Sequence, residues 1–402
     1  MGKAALKRSI AILSYLTVFA LVISETHSTA ELLIAGGGLV LLLDRYIFRL
    51  LSWPSRQWKK EVCLRLGSFF LGALFFFLIR PGIVPVLEAA YRGVMLCLAI
   101  AILEQITWAL GRICPSRWTA LAIVGLCVIA VSPVVAFLHP LRTVPKRGPE
   151  SLGLGFDDVR FRSADQTQLA AWVIPAEHAR GNAIFCHGHG RCRGQGLALF
   201  PLLHSLNLNI VAFDFRGHGD SDGHVSTFGD REVKDLQAAT EYVRERYPGQ
   251  PLFLIGVSLG AAVSLQALPT LGKVSGVWSE GAFARLDDEV DHEFRWLPRS
   301  LRSPVVKAYN IAGWIDCEFW APLVNPVDSL EDVDVPIFFC HGTRDELVPI
   351  GQAGLLYDRY RGSKQCWWVE GASHYNVRQH NQNEYHRRLA TFVQSCLANH
   401  GR

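Results

Sequence analysis

No run of lysine or arginine in this 402-residue chain is long enough to follow a phosphate backbone, and the net charge is only +4. Nucleic-acid binding is therefore excluded as the chain's business. No C-x-x-C pair and no zinc-type spacing occurs among the ten cysteines, so neither a zinc module nor a regular disulfide framework is indicated. Cys63, Cys97, Cys114 and Cys127 lie in or beside apolar stretches, and Cys192, Cys317, Cys366 and Cys396 are scattered. Cys186 and Cys340 each end an expected buried strand, where a free thiol acts as a small hydrophobe. The cysteines are read as reduced and structural, with a Cys192 pairing to another loop cysteine as the alternative.

What the chain has in excess is apolar sequence. Half of the residues are hydrophobic, and most of that surplus falls in the first 140. Residues 9–24 are uncharged and follow Lys3, Lys7 and Arg8, but no small-residue cleavage site comes after them, so they read as an uncleaved anchor rather than a signal peptide. Further apolar stretches occupy 32–43, 66–79, 93–110 and 119–138. A spanning helix needs about 20 such residues, so four to five transmembrane helices are expected within 1–140. The cluster Arg56-Gln57-Trp58-Lys59-Lys60 lies between two of them. Counted over five spans with the N-terminus inside, the basic residues lie mostly on inner segments. The expectation is an integral membrane protein in contact with membrane lipids, with its C-terminal domain on the outer face. Glu104 falls inside the fourth stretch and reads as a carboxyl facing another helix, since no second buried charge of a relay accompanies it.

Residues 141–155 carry prolines and charges and read as a linker. From residue 156 the pattern changes. Segments 159–162 and 169–174 read as a hairpin. Short apolar runs at 183–186, 210–213, 252–255, 274–278, 337–340 and 366–369 fit strands buried on both faces, with helical patterns at 231–247, 258–268 and 377–397 between or after them. Strands alternating with helices predict an α/β domain over 156–400 with a mostly parallel sheet.

Gly256-Val257-Ser258-Leu259-Gly260 stands where one of those strands meets a helix. A G-x-S-x-G turn there places the serine hydroxyl above the sheet, on a backbone too crowded for side chains at the flanking glycines. Acyl transfer at a serine also needs a base, a group that orients the base, and donors for the oxyanion. Asp345 follows the strand 337–340, with Glu346 beside it as a rival, and His374 follows the strand 366–369. In this reading His374 takes the Ser258 proton while Asp345 fixes the imidazole tautomer. The oxyanion donors are the backbone N–H of Leu259 and that of His189, in the loop His187-Gly188-His189-Gly190; losing one such donor costs about 10²–10³ in rate. His187 and His189 lack a third ligand, so no metal is called for, and no cofactor is implied.

These segments, together with Asp214-Phe215-Arg216-Gly217-His218-Gly219-Asp220-Ser221, resemble the serine-hydrolase branch of the α/β-hydrolase superfamily, and within it the Bem46-like and serine aminopeptidase-like group. The resemblance covers residues 156–400 and leaves the first 140 unexplained. It implies the α/β-hydrolase fold, a structural rather than catalytic role for Asp214 and Arg216, and a lid inserted near 282–330. That lid holds Phe294, Trp296, Trp314, Phe319 and Trp320. Its aromatics either shape an apolar acyl pocket or fill the lid's own core.

The expected activity is membrane-anchored hydrolysis of carboxylic esters or thioesters of lipid-like or acylated molecules. A peptidase, amidase or acyltransferase on the same three residues is the second reading. A non-catalytic scaffold is the third, and the joint presence of Ser258, Asp345 and His374 argues against it.

Overall fold

The computed structural model describes residues 137–400. The first four expected spans lie outside the described residues, as does the fifth except for Phe137 and Leu138. Among the described residues no helix is long and apolar enough to cross a membrane.

The domain begins with strands β1 (Asp157–Arg162) and β2 (Gln168–Ile174), paired antiparallel with Asp157 opposite Val173 and Arg162 opposite Gln168. β1 turns Val159 and Phe161 inward and its charged residues to solvent, which suits an edge strand that must not recruit another. There follow β3 (Gly181–Cys186), α1 (Phe200–Ser205), β4 (Leu208–Phe213), α2 (Glu232–Arg246), β5 (Leu252–Val257), α3 (Leu259–Leu271) and β6 (Gly276–Glu280). The segment read as a lid comes next, with α4 (Leu286–Glu293) and α5 (Arg299–Cys317), and then β7 (Ile337–Gly342), α6 (Ile350–Arg359), β8 (Lys364–Val369), α7 (Val377–His380) and α8 (Gln382–His400). The strands form one eight-stranded sheet in the order β1-β2-β4-β3-β5-β6-β7-β8. β2 runs antiparallel to β4, and every pairing from β4 onward is parallel.

Two apolar layers cover the sheet. Period-two alternation sends Ile184, Val211, Leu254 and Val277 into one layer with α2 and α3. Their neighbours Phe185, Ala212, Phe253, Ile255 and Trp278 enter the other, with α1 and with Tyr385, Leu389, Phe392 and Val393 of α8. Burial on both faces explains why the central strands read as unbroken apolar runs.

The segment read as a linker is tied to the domain at its start. Arg142 donates to the carbonyls of Gly219, Ser221 and Gly223, while Leu138 is fully buried and accepts the Ser226 N–H. The loop after β4 is braced by ions. Arg216 pairs with Asp235 of α2 at 2.6 Å and with Asp165 of the β1–β2 turn at 2.7 Å. Asp214 is fully buried and accepts hydrogen bonds from the Arg193 backbone and guanidinium and from the Asp220 N–H. Both residues thus have structural partners, as the resemblance implied.

Candidate active site

β5 runs into α3 with only Ser258 between them. That residue holds φ 53°, ψ −117°, a region that side-chain-bearing residues avoid and that persists only where the surroundings fix it. The fixing contacts are plain. The Ser258 N–H donates to Glu280 O at 2.7 Å, and its carbonyl accepts the N–H groups of Ala261 and Ala262 at 3.0 Å. A methyl group on Gly256 would lie 2.6 Å from Ala261 Cα, and one on Gly260 would lie 2.1 Å from the Cys186 carbonyl oxygen. The two glycines are therefore demanded by close backbone approach.

The ends of β5, β7 and β8 bring Ser258, Asp345 and His374 together. His374 Nε2 lies 2.9 Å from Ser258 Oγ, and His374 Nδ1 lies 2.7 Å from Asp345 Oδ2. The other Asp345 oxygen accepts the N–H groups of Leu347 and Val348 at 3.0 and 2.8 Å. His341 Nε2 stands 3.2 Å from Asp345 Oδ2 and 2.8 Å from Val348 O. Burial pushes the Asp345 carboxyl up, but the hydrogen bonds from His341 and His374 outweigh burial and hold it at about 2. An ionised Asp345 requires the proton on His374 Nδ1, which leaves Nε2 as an acceptor toward the serine hydroxyl. Glu346, the rival carboxylate, is exposed, and its backbone carbonyl lies 3.0 Å from His292 Nε2. The contact of His341 with Asp345 across one loop turn had no sequence signal.

The loop after β3 is pinned at several points. Gly188 N–H donates to Gln195 Oε1 at 2.7 Å, and Gly190 N–H donates to His218 Nε2 at 3.0 Å. Among the described residues, no hydrogen bond occupies the backbone N–H of His189 or of Leu259. The loop thus keeps the His189 amide uncommitted between two that are fixed, and Gly188 lies against Ser258, with 3.5 Å between an added Cβ and the Ser258 Cβ. His187 turns away from the cleft, accepting the Phe215 N–H at 3.0 Å. Gln195 and His218 serve this loop from other segments, and only the fold reveals them.

The fold has parallels among solved structures. An esterase of Pyrococcus furiosus shares 25% sequence identity with the chain over 64% of its length and 98% of the esterase, at a TM-score of 0.55. A family model described as serine aminopeptidase, S33, matches residues 177–319. The chain has the α/β-hydrolase fold. Curated proteins similar to it include the uncharacterized protein YqkD of Bacillus subtilis, 24% identical over 68% of this chain and 96% of that protein. The α/β-hydrolase domain-containing protein WAV2 of Arabidopsis thaliana is 26% identical over 61% of this chain and 83% of its own length.

Ser258 and His374 open into a cleft of about 870 Å³. Phe283, Leu286, Val290 and Phe294 of the lid segment give it an apolar wall, faced by Leu347 and Val348. The lid aromatics divide three ways. Phe294 and Trp296 line the cleft, Phe319 is buried in the domain core, and Trp314 and Trp320 stand exposed. So neither expected role covers all five.

Carboxyls also reach the cleft. Glu280, at the end of β6, accepts the Tyr385 hydroxyl at 2.5 Å, and burial raises its pKa. Glu289 on α4 is 8% exposed, and its Oε1 has no hydrogen-bond partner among the described residues. Burial, followed by repulsion from Asp345, Glu293 and Asp288, lifts it to about 8. Neither Glu280 nor Glu289 stands out in the sequence, because each lies on an ordinary strand or helix and gains its setting from packing.

Among the described residues Cys186, Cys192, Cys340, Cys366 and Cys396 are free thiols. Burial pushes the Cys186 thiol to about 12 and that of Cys340 well above its ordinary value, so both are poor nucleophiles.

Proposed function

We propose that the protein is a serine hydrolase that cleaves carboxylic esters or thioesters of lipid-like or acylated substrates. The observation that carries this reading is the continuous hydrogen-bonded line from Ser258 Oγ through both nitrogens of His374 to Asp345. Ser258 Oγ attacks the acyl carbon as its proton passes to His374 Nε2, and the resulting imidazolium is stabilised by Asp345. The oxyanion takes the N–H groups of Leu259 and His189, both uncommitted and both near the nucleophile. Collapse expels the alcohol or thiol with the proton from His374 and leaves an acyl-enzyme. A water then attacks the acyl carbon as its proton passes to His374, and collapse frees the carboxylic acid while His374 returns that proton to Ser258 Oγ.

The apolar wall of the cleft supports an acyl chain as the bound group. The apolar stretches within the first 140 residues support anchoring in a bilayer, with the catalytic domain on the outer face, so that membrane lipids or acylated molecules beside the membrane are the natural substrates.

A second reading is favoured by one feature, the carboxyls of Glu289 and Glu293 lining the cleft. They suit a substrate with a free amine, as the serine aminopeptidase description of the matching family model also would.

The test is labelling of the full-length protein in detergent with a fluorophosphonate probe, then turnover of graded acyl esters, acyl thioesters and aminoacyl amides. Labelling of wild type that is lost in Ser258→Ala and His374→Ala, with fastest turnover on acyl esters or thioesters, is expected. Fastest turnover on aminoacyl amides selects the second reading, and an unlabelled, well-folded wild type overturns both.

A further inference from the structure

The loop bearing His189 is held from one side by a segment outside the sheet. Phe137 lines the cleft, and its carbonyl accepts a hydrogen bond from His189 Nε2–H at 2.7 Å. The Phe137 ring lies 6.2 Å from the His189 ring and 6.2 Å from that of Phe228, which stacks on His189 at 4.7 Å and 17°. Six residues on, Thr143 Oγ1 donates to Gly190 O at 3.0 Å. Between these two contacts the strap is anchored independently, by buried Leu138 and by the three carbonyls that Arg142 engages. The strap therefore grips the His189 side chain and the carbonyl of the next residue, Gly190, while resting on the domain through Leu138 and Arg142.

Three amides succeed one another at 188–190. The first is fixed by Gln195 and the third by His218. The direction of the middle one depends on how the His189 residue is rotated about its own backbone, and the side-chain bond to Phe137 O sets that rotation. An imidazole stacked on one face by Phe228 and tethered at Nε2 has little freedom to turn.

We infer that Phe137 is a positioning residue of the oxyanion hole: through its carbonyl and ring it orients His189 so that the His189 N–H points at the developing oxyanion. This rests on the serine-hydrolase reading of the site. It makes the segment that leads out of the first 136 residues part of the active site, rather than a tether to it.

The test uses the full-length protein with a soluble short-chain p-nitrophenyl ester, measuring kcat and KM separately, the fluorophosphonate labelling rate, and the melting temperature. His189→Phe keeps a flat ring and the backbone N–H but cannot donate to Phe137 O. It is expected to lower kcat and the labelling rate about 10- to 100-fold, with KM within about threefold. His189→Gln, whose side-chain amide can reach the same carbonyl, is expected to recover most of that loss. Thr143→Val, at an exposed site where folding is not at risk, is expected to lower kcat a few-fold. The inference is overturned if His189→Phe and Thr143→Val both keep kcat within twofold of wild type, if KM alone rises, or if His189→Gln is no better than His189→Phe. Failure of the underlying reading looks different, because Ser258→Ala would then retain wild-type turnover.

Discussion

Gly260 offers the sharpest link between packing and chemistry. In Gly260→Ala the new methyl carbon would stand 2.1 Å from Cys186 O, 2.4 Å from Cys186 C and 2.7 Å from His187 O. Backbone atoms cannot rotate aside as a side-chain tip can, so either α3 or the end of β3 must move by about 1 Å to restore an ordinary contact. Overpacking of this kind costs about 1–3 kcal/mol, and in a domain of this size each kcal/mol lowers the melting temperature by roughly 2–4 °C. The displaced peptide is the one that enters the His187–Gly190 loop, and Ser258 lies two residues before Gly260. The same movement therefore shifts Ser258 and the His189 amide relative to each other, and on the proposed function a 1 Å misplacement can cost about 10²-fold in rate. Thermal unfolding and ester turnover of the same preparation should thus show a drop of roughly 2–12 °C and a loss of about 10²-fold or more. Gly354→Ala is the control: an added Cβ there meets nothing within 4 Å on a helix, and it should be neutral or stabilising by up to about 1 kcal/mol. A Gly260→Ala protein that melts within a degree of wild type and turns over within twofold would refute the reasoning.

Other outcomes follow from the ion network and the cleft carboxyls. Arg216→Ala strands Asp235, fully buried, and frees Asp165; urea unfolding should register a loss of about 3–5 kcal/mol, and a loss below 1 kcal/mol would show that the pairs do not matter. Glu289 has a folded-state pKa of about 8 against an ordinary value of 4.5. Because that value is raised, the neutral form's stability is fully present below about pH 4.5 and is lost as pH rises toward 8. Glu289→Gln should therefore gain on wild type across that window, by roughly 2–4 kcal/mol at pH 8; a difference in unfolding free energy that stays flat from pH 5 to pH 8 would reject a neutral Glu289.

Much of the fold was legible because periodicity reports burial directly. Runs such as 210–213 and 252–255 alternate between two apolar layers, so their lack of polar residues announced strands covered on both sides. Ser258 was legible for a different reason: crowding at Gly256 and Gly260 is a backbone constraint that leaves few residue types to choose from. Asp345 and His374 were found from their place after strands, a matter of chain order. The settings of His341, Gln195, His218 and Glu289 were not legible. Each acts across a loop or from a helix that has no local signature, and its partner is fixed by tertiary packing. The lid aromatics show the same limit, since hydrophobicity alone does not say whether Phe319 goes inward or Trp314 outward. The role of Phe137 was hidden further, because a carbonyl oxygen carries no residue identity and the surrounding sequence reads as the end of an apolar stretch.

The placement of α8 has a consequence for how the chain is made. This helix covers Phe253, Ile255, Trp278 and Phe338 with Tyr385, Leu389, Phe392 and Val393, yet it is synthesised after every strand it covers. A growing chain therefore carries one sheet face with its tryptophan and phenylalanine rings bare until α8 emerges. His374 also comes late, some 116 residues after the serine it contacts. Premature termination anywhere before α8 would leave a sticky, half-clad sheet rather than a smaller stable domain, and a nascent chain must be shielded on that face until translation has passed Val393.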